Sequence, residues 1–466
     1  MKFTGLLLAV LATVAWSSQA QTTYTASINP NLVLVDGFEG WGTSLCWWAN
    51  VVGGYTNRST YASLAFSQLK LNIVRYNIGG GENPGIVNTI QYRARMAGFE
   101  PSPGVWDWTA DANQRWMLRQ AVSLGADRVV AFANSPPWWM TVSGSVTGSA
   151  KGTSNNLQTN YEAVFTSYMA TVMSNLMVLD GVTFESATPL NEPSARWWKY
   201  GGHQEGCHIS SAQQARLVSN LRKALNAQNL TAGVVASEDN DEQSALNSVS
   251  SYGDSLNDVA RIVTHTYRAN NPVGLRNFAA MHGKSLWVSE YGDGDGSGMK
   301  MARRIHDDLA IMWAKAWVYW QVVDNAGGWG FLYNPLDASG NTAYRINKKF
   351  YVMAQFSEFI RPGSRILYAG DTNSLAAYNS TNQTLTIVAV NDSTHTLSVM
   401  YDLSRFGSLP TSYLRYRTSS TESLAPLGSS PLTSSQLISV LPPRSVTTHL
   451  LTAAVPTRQS AKQRAW

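Results

Sequence analysis

Strand-like runs alternate with helical patterns along most of this chain. The strand-like runs are NIVRYNI, RVVAFAN, VTFESATPL, AGVVASE, RIVTHTY, SLWVSEY and AWVYWQVV, and a first strand ends near VDGFEGWG. Helical patterns such as DANQRWMLRQAVSLG and MARRIHDDLAIMW separate them. Eight such units predict an α/β chain with a (β/α)8 TIM barrel over residues 37–347, whose chemistry lies on the loops after the strands. A doubly wound open sheet is the alternative, but no strand precedes a Gly-x-Gly-x-x-Gly loop.

The C-terminal part of the chain has a different composition. Apart from Trp16 and Trp466, every tryptophan lies between Trp41 and Trp329. KKFYVMAQFSEFI resembles a last helix, and the short alternating runs TLTIVAV, TLSVMYDL and SVTTHLL follow it between turn residues. This pattern is typical of an antiparallel β-sandwich. We therefore predict the last helix and a β-sandwich side domain over residues 348–455.

The first twenty residues have the features of a signal peptide. Lys2 precedes the apolar run LLLAVLATVAW, and the segment ends in the small residues SQA. The run is too short to span a bilayer, so we expect a secreted, extracellular protein that starts at Gln21. Five Asn-x-Ser/Thr sequons fit this route as glycosylation sites: Asn57, Asn229, Asn379, Asn382 and Asn391.

The positive net charge does not indicate an anionic partner. The formal charge is +5, but Lys2 lies in the leader and Arg458, Lys462 and Arg464 lie in the tail, so the rest is nearly neutral. Without a basic stripe, neither nucleic-acid binding nor membrane binding is expected. Residues 456–466 are predicted to be a disordered basic tail, and the protein is expected to be a monomer.

The cysteines and acidic clusters do not predict a metal site. Cys46 and Cys207 could form one disulfide in a secreted chain, or could be two free buried thiols. DGDGSG, which begins at Asp293, resembles the start of a calcium loop, but its twelfth position is Arg304 rather than a bidentate glutamate. We expect neither a metal nor another cofactor.

Two glutamates end predicted strands on opposite sides of the barrel. Glu192 follows strand 4 in TPLNEP, and Pro193 restricts the backbone after it. Glu290 ends strand 7 in SLWVSEYG. A lone acid in such a position often caps a helix or pairs with an arginine, but two that face each other across a cleft meet the requirement for glycoside hydrolysis.

Adjacent tryptophans follow three of the predicted strands. The pairs are Trp47-Trp48, Trp138-Trp139 and Trp197-Trp198. Two neighbouring indoles in a loop do not easily both point inward, so we expect part of this aromatic surface to be exposed. Because sugar rings pack their C–H faces on indoles, we predict that one member of each pair lines the cleft, namely Trp48, Trp138 and Trp198.

Five segments together resemble glycoside hydrolase family 30 of clan A: TPLNEP, WVSEYG, VRYNIGGG, FANSPPWWM and VDGFEGWG. The resemblance covers the whole chain after the leader. It implies a (β/α)8 barrel joined to a β-sandwich, which residues 21–36 also complete. Within the family, the resemblance is closest to fungal enzymes that cleave β-1,6-galactan.

The resemblance also implies catalytic roles. Glu192 would be the general acid/base and Glu290 the nucleophile of a double displacement that retains the anomeric configuration. Asn191 would bind the sugar 2-hydroxyl. Arg75 would keep the nucleophile ionised, or would simply neutralise an acid at the rim.

Three further residues are predicted around the reacting sugar. Tyr267 resembles the strand 6 tyrosine that contacts the nucleophile, and Trp320 resembles the aromatic floor of the subsite. His265 lies two residues before Tyr267, which would place it on the same face of the strand, either as a ligand contact or as a core histidine.

These features predict a secreted endo-acting glycosidase that cleaves β-1,6-galactosyl linkages in galactan and arabinogalactan side chains. An endo-β-1,6-glucanase or a xylanase would use the same chemistry, because galactose and glucose differ by one axial hydroxyl. A non-catalytic carbohydrate-binding protein is the alternative from another class, and the presence of both Glu192 and Glu290 argues against it.

Overall fold

The computed structural model describes residues 22–457. The predicted signal peptide and all but the first two residues of the predicted tail lie outside this range. Within it, we find no helix whose length and apolar character would allow it to cross a membrane.

Eight parallel strands form a closed barrel. The chain first forms β1 (Thr22–Ser27) and β2 (Asn29–Val35), which pair with C-terminal strands. The barrel strands follow as β3 (Gly40–Ser44), β4 (Ile73–Asn77), β5 (Arg128–Phe132), β6 (Ser186–Thr188), β7 (Gly233–Asp239), β8 (Val259–His265), β9 (Leu286–Tyr291) and β10 (Ala316–Gln321). β10 pairs with β3 and closes the ring. The predicted TIM barrel is thus confirmed, and the open-sheet alternative is wrong.

Helices follow the barrel strands and cover the outside. They are α1 (Trp48–Val52), α2 (Arg58–Ala62), α3 (Ala112–Ser123), α4 (Glu162–Asp180), α5 (Ser211–Ala227), α6 (Glu242–Ser250), α7 (Pro272–Met281), α8 (Met299–Ala310) and α9 (Lys348–Ser357). Two starts show why the helices begin where they do. The Asp241 carboxylate accepts a hydrogen bond from the Ser244 backbone N–H at the start of α6. Asn271 caps α7 in the same way, with Pro272 in the first turn.

Apolar side chains fill the inside of the barrel. One buried cluster is contributed by six of its strands: Ile73, Val130, Val235, Val263, Trp287, Ala316 and Val318. This cluster explains why the strands read as nearly continuous apolar runs, because both faces of a barrel strand are buried. Polar side chains are therefore confined largely to the strand ends, where the candidate site lies.

The rest of the chain forms smaller sheets whose strand pairs are mostly antiparallel, the exceptions among the described residues being β1 with β17 and β11 with β12. Three two-residue strands, β11 (Val323–Asp324), β12 (Leu332–Tyr333) and β13 (Arg345–Ile346), form a small sheet after the barrel. The remaining strands are β14 (Arg365–Tyr368), β15 (Ser374–Asn379), β16 (Thr384–Asn391), β17 (Leu397–Asp402), β18 (Phe406–Ser408), β19 (Ser412–Thr418), β20 (Ala425–Pro431), β21 (Gln436–Leu441), β22 (Ser445–Leu451) and β23 (Val455–Pro456).

Strands from both ends of the chain build the side domain. The main sheet has the order β2-β14-β15-β16-β22-β19-β20, and a smaller sheet has the order β1-β17-β21. The apolar core of this part includes Ile28, Ile387, Val399 and Leu437. The antiparallel sheets fit the predicted β-sandwich side domain. Pro456, which the sequence assigned to the tail, pairs with Phe406 in β18.

Cys46 and Cys207 are both free and buried. The Cys46 sulfur lies 3.7 Å from the Asn134 side-chain nitrogen, and the Cys207 sulfur lies 3.7 Å from the His208 carbonyl oxygen. Burial raises the pKa of both thiols. The disulfide considered from the sequence is therefore wrong, and the alternative of two buried thiols holds.

One predicted glycosylation site is wrong. Asn391 is fully buried in β16, and its side-chain nitrogen donates hydrogen bonds to the carbonyl oxygens of His395, Leu441 and Pro442. An amide in this position cannot carry a glycan in the folded protein. Asn229 and Asn382 are exposed, while Asn57 and Asn379 are partly exposed, so these four sites stay predictions.

Candidate active site

Glu192 and Glu290 meet at the end of the barrel where the strands terminate. A carboxylate oxygen of each and a ring nitrogen of His265 lie within 4.8 Å of one another. Both glutamates open onto a cavity of about 300 Å³. Its other lining residues are Trp47, Arg93, Asn191, Gln204, Asn240, Tyr267, Trp320, Asp324, Ala326 and Trp329. The two strand-end acids that the sequence singled out are therefore brought together in one cavity.

Both oxygens of Glu290 are held by donors. An Arg75 guanidinium nitrogen donates to one oxygen at 2.6 Å, and the Tyr267 hydroxyl donates to the other at 2.8 Å. Arg75 is almost fully buried and also donates to the Ser44 hydroxyl at 2.9 Å. Burial alone would lower the pKa of Arg75, but the charges of Glu238 and Glu290 outweigh this effect and raise it. Arg75 is thus a permanent cation against Glu290.

The backbone holds Glu192 in an uncommon conformation. Its φ is +45°, whereas a residue before proline usually adopts an extended φ near −120°. The Glu192 N–H donates to the Glu238 carbonyl oxygen at 2.7 Å, and the Trp198 indole donates to the Glu192 carbonyl oxygen at 3.0 Å. Its carboxylate accepts a hydrogen bond of 2.6 Å from the Asn240 side chain. Neighbouring loops, rather than Pro193 alone, therefore fix the direction of Glu192.

His265 lies beneath the two glutamates and does not line the cavity. It is fully buried, with Nδ1 at 3.2 Å from Glu192 and 3.6 Å from Glu290. Burial alone would lower the pKa of His265, but the Glu290 charge and the contacts with Glu192 and Glu238 raise it to about 10. The substrate contact considered for His265 is wrong because its ring is fully buried, and the alternative of a core histidine holds.

Glu238 is a third acid of this site, and the sequence analysis missed it. It lies near the end of β7, is fully buried, and has a φ of +63°. Burial raises the pKa of Glu238, but the Arg75 charge and contacts with His265 and Ser289 lower it overall. The segment AGVVASE contained a signal for Glu238, because a glutamate ends an apolar run there just as Glu290 does in SLWVSEY.

The structure corrects the assignment of two tryptophans. Trp48 is fully buried at the start of α1, where its indole donates to the Ser44 carbonyl oxygen at 2.8 Å. Its neighbour Trp47 lines the cavity instead. Trp198 is also buried and holds the Glu192 loop, whereas Trp197 is 47% exposed. The predicted substrate contacts of Trp48 and Trp198 are therefore wrong.

Trp47 and Trp320 form an aromatic corner of the cavity. Their rings lie 5.0 Å apart at 86° to each other. Trp320 thus lines the same cavity as Glu192 and Glu290, as its predicted role as a subsite floor requires. Trp138 is half-buried beside this pair and borders a separate cavity of about 290 Å³ with Arg95 and Pro101. Its predicted contact with substrate stays a prediction.

Polar side chains also line the cavity, and of these the sequence analysis predicted Asn191 but not Arg93 or Asp324. The Asn191 side-chain oxygen faces Arg75 at 3.4 Å. Arg93 lies 3.4 Å from Asp324 and stacks 5.1 Å from the Trp47 ring. These groups can donate to and accept from sugar hydroxyls. Arg93 lies in a single 3-10 turn and Asp324 in the two-residue strand β11, which are too short for a periodic sequence pattern to signal them.

A buried lysine supports the loop that carries Trp329. The Lys349 ammonium, at the start of α9, donates to the Asp293 carbonyl and carboxylate, the Tyr319 hydroxyl and the Gly328 carbonyl, all at 2.7–2.8 Å. Burial lowers the pKa of Lys349 despite the charge of Asp293. These bonds tie the loops after β9 and β10 together and so fix one wall of the cavity.

A larger cavity of about 500 Å³ lies between the barrel and the side domain. It includes Tyr267 but neither Glu192 nor Glu290, and Arg444 and Asp392 line its far side. Size alone would select this cavity. The paired carboxylates of Glu192 and Glu290 select the smaller cavity, because together they can supply complementary chemical roles.

The three clustered ligand atoms of Glu192, His265 and Glu290 are close enough to coordinate a metal ion. However, Arg75 and Tyr267 already occupy both oxygens of Glu290, and the raised pKa of His265 favours the protonated ring, which cannot be a ligand. The negative charges of Glu192 and Glu290 are therefore better matched by the cations Arg75 and protonated His265 than by a metal ion. In the segment DGDGSG, Asp293 contacts Lys349 and Asp295 accepts hydrogen bonds from its own loop.

Known proteins resemble this chain in sequence and fold. Residues 35–285 match the sequence profile of O-Glycosyl hydrolase family 30. An endo-beta-1,6-galactanase of Hypocrea rufa is 35% identical over 86% of this chain and 88% of its own length. An exo-beta-1,6-galactobiohydrolase of Bifidobacterium longum is 24% identical over 85% of this chain and 36% of its own length. The structure of a family 30 subfamily 8 xylanase from Clostridium acetobutylicum superposes with a TM-score of 0.71, at 23% identity, over 92% of this chain and all of that one.

Proposed function

This chain belongs to glycoside hydrolase family 30, and from that premise we propose that it is a retaining endo-β-1,6-galactanase with Glu192 as acid/base and Glu290 as nucleophile. The observation that carries the proposal is that one oxygen of the Glu192 carboxylate lies within 4.8 Å of one oxygen of the Glu290 carboxylate. Retaining glycosidases place their carboxyl groups about 5–5.5 Å apart, whereas inverting enzymes leave about 6.5–9.5 Å for a water molecule.

In the first step, Glu290 attacks the anomeric carbon of the galactosyl residue. The bond to the leaving oxygen breaks, and Glu192 gives its proton to that oxygen, so the product is a free hydroxyl and a glycosyl ester on Glu290. The donors on Glu290 serve this step directly. Arg75 keeps the carboxylate ionised, and Tyr267 orients the other oxygen.

In the second step, water enters from the side of Glu192, which is now ionised and accepts a proton from it. The resulting hydroxyl attacks the anomeric carbon, and Glu290 leaves as a carboxylate. Asn240 and His265 both contact Glu192 and can stabilise this ionised form. Two inversions return the β-configuration at the anomeric carbon.

The choice of β-1,6-galactan rests on the sequence relatives. The Hypocrea rufa protein is named an endo-beta-1,6-galactanase, and the Bifidobacterium longum protein is named an exo-beta-1,6-galactobiohydrolase. The Trp47–Trp320 corner and the polar wall with Arg93 provide stacking and hydrogen-bonding groups for a sugar ring. We further infer secretion from the leader-like residues 1–20, with arabinogalactan side chains as the substrate outside the cell.

A substrate panel tests this proposal. We expect β-1,6-galactan to yield a series of short oligosaccharides, and β-1,6-glucan and xylan to be cleaved at least about 100-fold more slowly, as expected when a site's polar groups lose their sugar partners. NMR of the first product formed should show the β-anomer. Preferential cleavage of glucan or xylan would overturn the substrate assignment, and a first-formed α-anomer would overturn retention.

A further inference from the structure

The Glu238 carboxylate receives several donors within the protein. One oxygen, Oε2, accepts from the Ser289 hydroxyl at 2.5 Å and the Arg75 guanidinium at 3.3 Å, and lies 3.3 Å from His265 Nε2. Glu238 is fully buried and does not line the catalytic cavity. It therefore does not contact substrate, and its influence must pass through these partners.

Both charged partners of Glu238 reach the proposed catalytic pair. Arg75 contacts Glu290 at 2.6 Å, and the opposite ring nitrogen of His265 lies 3.2 Å from Glu192. The main chain makes a further link, because the Glu238 carbonyl oxygen accepts a hydrogen bond of 2.7 Å from the Glu192 N–H. One buried residue thus connects to both carboxylates.

The charges of this cluster balance only when Glu238 is included. Arg75 and protonated His265 supply two positive charges, and ionised Glu290 supplies one negative charge. Ionised Glu238 supplies the second negative charge, so Glu192 can hold its proton. Without Glu238, the excess positive charge of Arg75 and His265 would favour loss of the Glu192 proton. An acid catalyst beside a cationic histidine needs such a counter-charge.

On the basis of the proposed function, we propose that Glu238 is a positioning residue of the catalytic pair, whose negative charge keeps His265 protonated and Arg75 oriented so that Glu192 can act as the acid. This role predicts that Glu238→Gln lowers the proton affinity of the neighbouring groups. Replacing Glu238 with neutral glutamine removes a negative charge, and every neighbouring acid then loses its proton at lower pH. The ionisable groups around Glu238 are Arg75, Glu192, Asp239, His265 and Glu290.

The first measurement does not depend on the substrate. Histidine labelled with ¹³C at Cε1 gives one NMR signal for each of the seven histidines, and the His265 signal is the one missing from His265→Gln. We expect the His265 signal of the unchanged protein to titrate only well above pH 8, and that of Glu238→Gln to titrate at least about one pH unit lower. An unchanged titration would overturn the proposal.

The second measurement is the pH dependence of kcat/KM. We expect the alkaline limb, assigned to Glu192, to move to lower pH by about one unit in Glu238→Gln and to return most of the way in Glu238→Asp, which restores the charge. Glu162→Gln is the matched control, because Glu162 is also a buried glutamate paired with an arginine, Arg216, but lies outside the site. Neither the acidic nor the alkaline limb of the kcat/KM profile should move in Glu162→Gln.

The outcomes separate this inference from the proposed function. If the unchanged protein fails to cleave β-1,6-galactan while Glu238→Gln still lowers the titration of His265, the proposed function fails and the electrostatic link stands. If cleavage occurs but Glu238→Gln only lowers the rate at every pH, with both limbs and the His265 titration unchanged, Glu238 has a structural role alone and the inference is wrong.

Discussion

The Arg75 guanidinium lies 2.6 Å from the Glu290 carboxylate, and both side chains are almost completely removed from solvent. The contact joins β4 to β9 across the barrel. Because Arg75 also lies 3.3 Å from Glu238, one cation serves two buried carboxylates. Such an arrangement is costly to break, since loss of one member leaves the others as uncompensated buried charges.

Arg75→Met should therefore destabilise the protein by about 3–5 kcal/mol, as expected when one partner of a buried ion pair is removed. Urea unfolding monitored by tryptophan fluorescence measures this change. In the double variant Arg75→Met/Glu238→Gln, one of the stranded anions is neutralised, so the loss should be smaller than in Arg75→Met alone. A double variant that is less stable than Arg75→Met would show that the charge balance described here is not what stabilises the cluster.

Glu290→Gln should abolish hydrolysis while preserving the fold. Glutamine matches the shape of glutamate but cannot form the glycosyl ester, so we expect kcat to fall by more than about 10⁴-fold. Binding of galactan, measured by calorimetry, should stay within about tenfold of the unchanged protein, since tenfold corresponds to only about 1.4 kcal/mol. Substantial turnover, after deamidation and contamination have been excluded by mass spectrometry, would remove Glu290 as the nucleophile.

His265 should make stability depend on alkaline pH. Its folded pKa of about 10 lies above its ordinary value of 6.5, so its stabilising contribution is fully present below pH 6.5 and is lost as the pH rises through 10. His265→Gln lacks this contribution. The difference in unfolding free energy between the unchanged protein and His265→Gln should therefore be largest at pH 6 and shrink toward pH 10, as urea unfolding at three pH values would show. A difference that stays constant over this range would argue that His265 is neutral.

The sequence predicted the barrel because burial on both strand faces and the intervening helical patterns are local properties that survive without tertiary information. Glu192 and Glu290 were predictable for a related reason, since an acid at the end of an apolar strand is conspicuous. Glu238 has the same local signal, but its role depends on Arg75 and His265, which come from other strands. Only the closed barrel shows that the three residues meet.

The tryptophan pairs show the limit of sequence reasoning more sharply. A Trp-Trp dipeptide indicates that one ring is exposed but not which one. At Trp47-Trp48, α1 begins at the second residue, which turns the Trp48 ring into the core and leaves Trp47 facing the cavity. The direction of each ring thus depends on where the helix starts, and helix boundaries are the least certain feature of a sequence pattern.

The pair Trp47 and Trp48 provides a matched test of the cavity. Trp47→Ala should weaken binding of galacto-oligosaccharides by about 1–3 kcal/mol, because it removes a stacking surface at the cavity wall. It should also lower stability, because Trp47 is largely buried in a small apolar cluster. Trp48→Ala should lower stability by about 3–5 kcal/mol without weakening binding, because it empties a space in the core away from the cavity. Calorimetric binding and urea unfolding of both variants measure the contrast, and Trp48→Ala should bind normally where it is folded. Equal effects of the two changes on binding would contradict the assignment.

Tryptophans at different distances from the reacting sugar should differ in their dependence on chain length. Trp320→Ala should lower kcat/KM on short and long galactans alike, since Trp320 lies in the catalytic cavity. Trp197 is exposed outside it, so Trp197→Ala should affect long chains preferentially. Kinetics on a series of oligosaccharides of increasing length would distinguish the two profiles, and identical profiles would remove the assignment of subsites.

The two glutamates can finally be separated by chemical rescue. Glu192→Ala lacks the proton donor but keeps the Glu290 nucleophile. An aryl β-galactoside with a good leaving group needs little protonation, so the glycosyl ester should form and then break down slowly, because no base activates water. Azide needs no base and should fit the space left by the shortened side chain. We expect azide to accelerate turnover of Glu192→Ala and to give the β-galactosyl azide. In Glu290→Ala, azide would attack from the side of the missing nucleophile and give the α-azide. An α-product from Glu192→Ala, identified by NMR, would mean that the two roles are reversed.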